Sequence, residues 1–306
     1  MKAVRYHRYG GTDVLSYEEA AQPAPGPGQV LVKVAATSFN PVDAGIRAGA
    51  LQEVFPLSFP FVPGIDLAGT VAGLGEGVEG PQVGDAVVAF LPMVADGAAA
   101  EFTLAPAGLL ATAPRTVDLA DAAALPTAGL TAWEALFELA GLRSGQTILI
   151  NGAGGAVGGY AVQLAKEAGA IVTATASERS AGRVRDYGAD TILDYRGTPV
   201  TDAAGPFDVV LNLVPLPPEA IAELLGLVAD GGALVSTTTP PPEDSRVRTA
   251  HVQVRSDAAL LAGLVSRVDA GTLRIDVAGR RPLADLAAVH DEAASGRLKG
   301  KTVLIP

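Results

Sequence analysis

The chain has 306 residues, 49% hydrophobic and 18% charged, with a formal net charge of −11. That length admits two domains with sizeable cores, and the acidic balance argues against nucleic acid as a partner, which wants a basic surface. Cysteine is absent, which excludes disulfides, thiolate catalysis and cysteine-ligated zinc, and the histidines at 7, 251 and 290 stand singly.

Met1 to Arg8 carries no hydrophobic leader. No apolar run of membrane-spanning length lacks a charge or a breaker. A soluble cytoplasmic protein is therefore expected. The first 120 residues or so read as short strands joined by Gly/Pro turns. Strands are expected at 1–6, 30–35, from 67 and at 85–90, with a turn cluster at 22–29, a proline loop at 55–63 and a glycine-spaced hairpin at 75–84. This texture suggests a small barrel-like domain.

Near Val117 the texture changes. Residues 118–125 are helix-prone and Pro126 is read as a breaker; a second helix is expected within 127–139. Strands at 147–151, 171–175, 191–194, 207–212 and 231–236 then alternate with helices at 156–168, 178–187 and 218–228. That alternation predicts a parallel sheet with right-handed crossovers. A last strand is expected at 249–254 and a last helix at 257–270, and a strand at 301–305 is expected to rejoin the first domain.

The stretch with most chemical content runs from Gln146 to Gly159. A β-branched strand, 147–151, feeds a glycine turn, and from Val157 the apolar residues recur at helical spacing. Such a turn holds a pyrophosphate against free N–H groups and the positive end of a helix dipole. Aligned on its last two glycines, the motif has Ala153 where the first Gly usually stands, then Gly155 for backbone approach and Gly158 for helix–strand packing. The cradle is read as Gly154, Gly155, Ala156 and Val157. The alternative, a flexible loop in a chain with 36 glycines, fits the strand and helix context less well.

The order of these halves resembles the medium-chain dehydrogenase/reductase superfamily, and within it the zinc-free quinone oxidoreductases. The marks are the segments 38–47, 63–71, 125–133, 155–166 and 188–195, in order and at matching spacing. The resemblance implies an α/β protein: an N-terminal chaperonin-10-like, β-barrel-type substrate domain (1–120 and 271–306) and a Rossmann domain with a doubly wound parallel sheet (121–270). It also implies a homodimer, and 249–254 is a candidate edge strand for it. Zinc-dependent relatives hold their metal at positions that match Asn40, Ile65 and Thr127, and an amide, an alkyl group and a hydroxyl do not hold zinc. Hydride transfer from a nicotinamide to a quinone or an activated alkene remains.

NADPH is the expected cofactor. The second Rossmann strand ends at Ser177, where an acid would mark NAD; Arg179 and Arg183 suit a 2′-phosphate, and the resemblance adds Tyr195. Glu178 is the contrary feature, unless it points outward as a helix N-terminal acid. The resemblance puts Asn40 beside the nicotinamide, bonded to a substrate oxygen or a ribose hydroxyl and steadying a developing oxyanion, with Thr127 nearby. Plain structural readings are a turn or cap for Asn40 and a helix N-cap for Thr127. Val214 and Thr238 are candidate nicotinamide-lining residues, or ordinary loop residues. Asp43 is read as a turn or ion-pair residue near Arg47, and Phe55, Phe59 and Phe61 as pocket walls or core. Rival functions are an enoyl or other alkene reductase of the same fold, and an NADPH-binding sensor without catalysis.

Overall fold

The computed structural model describes residues 1–306. By its contacts the chain forms two units: Met1–Thr127 with Arg255–Ala270 and Ile275–Pro306, and Ala128–Val254 with Gly271–Arg274.

The first unit is mainly β. Strands β1 (Lys2–Arg5) and β2 (Ser16–Glu19) form an antiparallel ribbon. Then come β3 (Gln29–Ser38), α1 (Pro41–Ala48), β4 (Asp66–Leu74), β5 (Ala86–Phe90), β6 (Phe102–Pro106), β7 (Ala111–Thr112) and the short α2 (Leu119–Ala122). β3 is the hub of the larger sheet, pairing antiparallel with β4, with β6 and with the C-terminal strand. Its alternation buries Val30, Val32 and Val34 against Leu67, Val71, Val87 and Ala105. Period-2 burial of β-branched residues is what makes this segment a strand rather than a helix.

Helix α3 (Pro126–Trp133) begins at the residue read as a breaker. Proline is tolerated at a first helical position, where its missing N–H would have no partner anyway. The helix continues into a π-helical turn, Glu134–Leu139.

The second unit contains β8 (Thr147–Asn151), α4 (Ala156–Glu167), β9 (Ile171–Thr175), α5 (Glu178–Asp186), β10 (Thr191–Leu193), β11 (Phe207–Asn212), α6 (Pro218–Glu223), β12 (Val228–Ser236) and β13 (Arg248–His251). All six strands are parallel, in the order β10-β9-β8-β11-β12-β13. This is the doubly wound arrangement, with its switch point between β8 and β11. Ile148, Leu149 and Ile150 are fully buried, as a central parallel strand covered on both faces requires. β13 forms the outer edge.

After β13 come α7 (Ala258–Asp269), β14 (Gly279–Pro282), α8 (Leu286–Ala294) and β15 (Thr302–Ile305). Contacts group α7, which chain order alone puts with the second half, with the first unit: the Asp269 carboxylate accepts from the backbone N–H groups of Arg115 and Thr116 at 2.7 and 3.1 Å. β15 pairs with β3 and brings the tail back to the first unit, as expected. No helix is long and apolar enough to cross a membrane.

Candidate active site

The glycine turn follows β8. Gly152 has φ +95°, a left-handed conformation, and a side chain there would meet Val214 Cγ2 at 2.9 Å. At Gly158 a Cβ would lie 2.5 Å from both Ala153 Cα and Gly152 O, so helix α4 touches the turn backbone directly. At Gly154 it would lie 2.5 Å from Ser180 Oγ. Gly155 differs: it is exposed and its nearest neighbour would be 3.4 Å away, leaving room for a guest. No side chain caps α4 at Gly155, so the N–H groups of Ala156, Val157 and Gly158 have no intrahelical acceptor. Gly154, Gly155, Ala156 and Val157 thus come together as a backbone cradle fit for a diphosphate. Gly152 shapes the turn and Ser180, whose hydroxyl donates to Ser177 O at 3.3 Å, packs against Gly154; neither was singled out in the sequence.

A polar ladder crosses the carboxyl ends of the strands beside this cradle. Thr175 Oγ1 donates to Asn151 Oδ1 (2.9 Å) and Asn151 Nδ2 to Asn212 Oδ1 (2.9 Å). Asn212 Nδ2 then donates to Val214 O (2.9 Å) and Ser236 Oγ (3.2 Å). Thr238 Oγ1 also donates to Val214 O, at 2.9 Å. The ladder is what holds Val214 and Thr238: the Val214 carbonyl takes two donors and its N–H donates to Asn212 Oδ1 at 3.4 Å.

At the end of β9, Ser177 is buried and stands at the N-cap of α5. Glu178 is exposed in the first helical turn, where an acid suits the dipole. Arg183 Nη2 donates to Gly154 O at 2.9 Å, which ties the basic side chain to the cradle. Arg179 is exposed, and Tyr195 is 53% exposed.

In the first unit, Asn40 and Thr127 meet on a residue the sequence reading passed over. Asp66 is fully buried at the start of β4, and its carboxylate accepts five hydrogen bonds, four from side chains and one from a backbone N–H. Thr127 donates twice to Oδ1, from its N–H (2.8 Å) and its hydroxyl (2.7 Å). At Oδ2 the donors are Ser38 Oγ, Asn40 Nδ2 (2.8 Å) and Lys301 Nζ (3.1 Å). Thr127 is therefore not the N-cap of α3; the Asp66 carboxylate serves the helix start from outside. Asn40 occupies the N-cap position of α1, but its side chain makes no capping bond. Burial alone would push the Asp66 carboxyl up; the Lys301 ammonium and the hydrogen bonds from Asn40, Ser38 and Thr127 outweigh it and hold it below the usual carboxylate range. Lys301 itself gave no motif signal, because its partners Phe39, Asn40 and Asp66 all lie at least 235 residues away in the chain.

A second buried group lies beside the hub. Of the two readings for Asp43, the turn holds and the ion pair does not: its N–H donates to Asn40 O at 3.1 Å and its carboxylate accepts from Gly64 N–H at 3.2 Å, while Arg47 donates to Gly10 O at 3.1 Å. Burial, then the charge of Asp66, pushes Asp43 up to about 7. Asp43, Tyr6 and Ile65 line a cavity of about 10 Å³, room for a single water. The Tyr6 hydroxyl is buried without a partner, as are Arg47 Nε and both ring nitrogens of His290. Of the aromatic residues in the loop, Phe61 is buried and packs edge-on to Tyr6 at 5.5 Å, while Phe59 is 38% exposed against Tyr9 at 4.9 Å.

No group of three or more His, Cys, Asp or Glu side chains is arranged to hold a metal ion. Asn40, Ile65 and Thr127 do lie in the first unit, with the polar atoms of Asn40 and Thr127 directed at Asp66 and Lys301.

Comparison with known proteins agrees with this architecture. Residues 26–115 match the family model for the alcohol dehydrogenase GroES-like domain, and residues 187–304 the zinc-binding dehydrogenase model. The chain is 34% identical to the chloroplast envelope quinone oxidoreductase homolog of Arabidopsis thaliana, covering 100% of this chain and 98% of that protein. It is 35% identical to the NADPH-dependent alkenal/one oxidoreductase of the same plant, over 100% of this chain and 80% of that protein. Among solved structures, the quinone oxidoreductase from Coxiella burnetii superposes with a TM-score of 0.91 at 27% identity, covering 100% and 99% of the two chains. A GroES-like domain joined to a Rossmann-type parallel sheet defines an oxidoreductase enzyme. The chain belongs to the quinone oxidoreductase family of the medium-chain dehydrogenase/reductase superfamily.

Proposed function

We propose that this enzyme reduces quinones or related α,β-unsaturated carbonyls with NADPH and without zinc. The observation that carries the reading is the cradle at 152–158: backbone pressed close at Gly158, open at Gly155, and joined by Arg183 at Gly154 O. Arg183, Arg179, Ser177 and Tyr195 are assigned to the 2′-phosphate, and the outward position of Glu178 leaves no carboxylate at Ser177 to compete. A similar protein's name, NADPH-dependent alkenal/one oxidoreductase, supports the same cofactor and keeps enal or enone reduction beside quinone reduction as the second reading.

When bound, the reduced nicotinamide supplies the hydride. The residues of the first unit do the positioning. Both N–H bonds of Asn40 are engaged, by Asp66 and by Ser38 O at 3.3 Å, and the Thr127 hydroxyl donates its proton to Asp66. Toward a guest these groups can only accept. That suits a ribose hydroxyl and not an oxyanion, which needs donors. We therefore assign Asn40 and Thr127 to the nicotinamide ribose. The protons of Ser38, Asn40 and Thr127 are directed at Asp66, so the proton that completes reduction is assigned to solvent water. Zinc independence rests on residue chemistry: an amide and a hydroxyl bound to a carboxylate, and an alkyl group, occupy the ligand positions. The paired subunit is assigned to the β13 edge. Parallel assays of NADPH and NADH oxidation with a quinone and with an enone test the reading; absence of turnover with every acceptor, despite tight NADPH binding, would favour a sensor.

A further inference from the structure

Lys301 lies just before β15, in the segment that returns from the end of the chain. Its side chain is 4% exposed. The ammonium makes three hydrogen bonds: to Asn40 Oδ1 at 2.7 Å, Phe39 O at 3.1 Å and Asp66 Oδ2 at 3.1 Å. An ammonium has three protons and no lone pair, so this one is saturated. It has no proton directed at a substrate, and any effect it has on the reaction passes through its partners.

Those partners leave the Asn40 amide one orientation. Its oxygen faces Lys301, a donor-only group, and its nitrogen faces Asp66, which in its ionised form is acceptor-only. A flipped amide would aim its N–H groups at the ammonium and its oxygen at the carboxylate. Each contact would turn repulsive inside a buried site, where charges are poorly screened. Asp66 without Lys301 would not select so sharply: as the burial of Asp66 pushed its proton back on, the carboxyl would become a donor as well as an acceptor. The ammonium is thus the element that keeps both ends of the amide assigned.

We propose that Lys301 is a positioning residue of the nicotinamide-ribose site: it locks the Asn40 carboxamide with its oxygen available as the acceptor of a ribose hydroxyl. The proposal rests on the ribose assignment made above. It goes beyond a fold-holding salt bridge, because it states through which side chain Lys301 acts.

A double-mutant cycle on cofactor affinity separates the two. Lys301→Met and Asn40→Ala should each weaken NADPH binding by about tenfold, the weight of one hydrogen bond to a buried acceptor. If Lys301 acts through Asn40, the double variant binds no worse than either single one. Effects that multiply to about a hundredfold overturn the proposal. Because the chain has no cysteine, Lys301→Cys can be alkylated with 2-bromoethylamine in denaturant and refolded, which rebuilds a lysine-like ammonium at that position alone. Recovery of affinity on alkylation is expected, and a refolded, alkylated protein that still binds weakly contradicts the lock. A cofactor-free readout keeps this apart from the ribose assignment. The side-chain amide resonances of Asn40 should shift and exchange faster with solvent in Lys301→Met. If they stay as in the unmodified protein, the lock is wrong whatever NADPH does; if they move while Asn40→Ala leaves NADPH affinity unchanged, the lock stands and the ribose assignment fails.

Discussion

Asn151 and Asn212 stand opposite each other on the adjacent parallel strands β8 and β11, and their side chains share a hydrogen bond of 2.9 Å. They mark the place where the strand order reverses, the crevice in which a doubly wound sheet takes its ligand. Between them they tie Thr175 at one strand end to Ser236 and Val214 at others. Asn212 is fully buried, so replacing it by Leu, close in size, strands Asn151 Nδ2 and withdraws one donor from the Val214 carbonyl. Asn212→Leu should lose about 2–4 kcal/mol of stability in urea unfolding, from unsatisfied buried groups. It should also weaken NADPH binding; unchanged affinity in the folded variant would remove the ladder from the cofactor site.

The glycines of the turn separate packing from binding. A methyl group at Gly158 meets backbone on two sides at 2.5 Å and cannot be relieved by a rotamer change. Gly158→Ala should therefore destabilise the protein by about 1–3 kcal/mol or more, as overpacking against backbone does. At Gly155 the same methyl group is 3.4 Å from its nearest neighbour. Gly155→Ala should unfold like the parent protein in a thermal melt yet bind NADPH at least tenfold more weakly, on the order of 1.4 kcal/mol or more. Equal effects of the two substitutions on both readouts would contradict the cradle.

Much of this was legible in the chain. The strand–glycine–helix run from Thr147 and the alternation after it specify a parallel sheet because both periods are local, and the observed strands fall within a residue or two at most positions. The strand at Val228–Ser236 begins three residues early, since Ala229 and Asp230 carry no strand signal. Pro126 was misread because a breaker and a first-turn residue look alike until the preceding chain is placed. The Asp66 hub was illegible for a different reason. Asn40, Asp66, Thr127 and Lys301 share no spacing, and what joins them is strand pairing of β3 with β4 and with β15.

Two buried groups should act on stability in opposite directions across the same window, from about pH 4 to 7. Asp43 keeps its proton in the folded state up to about pH 7, whereas the unfolded chain loses it near 3.8. Its folded value is raised, so stability falls as pH rises from about 4 to 7, by on the order of 4 kcal/mol. Asn at this position keeps an oxygen for Gly64 N–H and has no charge to bury. Asp43→Asn should melt higher than the parent protein at about pH 8, and the gain should vanish by about pH 4.

His290 acts in the other direction. Burial, helped by the nearby Arg47 charge, pushes it down to about 4 from 6.5, and its ring packs edge-on to Phe39 with no hydrogen bond at either nitrogen. Above pH 6.5 it is neutral in both states and has no effect. As pH falls from there to about 4, the unfolded chain takes up the proton first and stability is lost. His290→Leu should remove that acid-side loss, so its melting temperature at about pH 5 should drop less, relative to pH 7.5, than that of the parent. An identical drop in both proteins would show that the imidazole is not the group responsible.

Arg183 should discriminate between the two nicotinamide cofactors. It is tied to the cradle through Gly154 O, and a guanidinium there matches a phosphate better than a hydroxyl. Arg183→Ala should weaken NADPH binding by about tenfold or more, one charge-assisted contact, with little change for NADH. A parallel loss for both cofactors would assign Arg183 to folding of the turn.

The central claim is tested most directly by initial rates of NADPH oxidation, with a quinone and with an enone as acceptor, in protein stripped of metal by a chelator and checked by elemental analysis. The account predicts undiminished turnover with at least one of the two acceptors, and rates with NADPH well above those with NADH. Activity that disappears on stripping and returns with added zinc would contradict it.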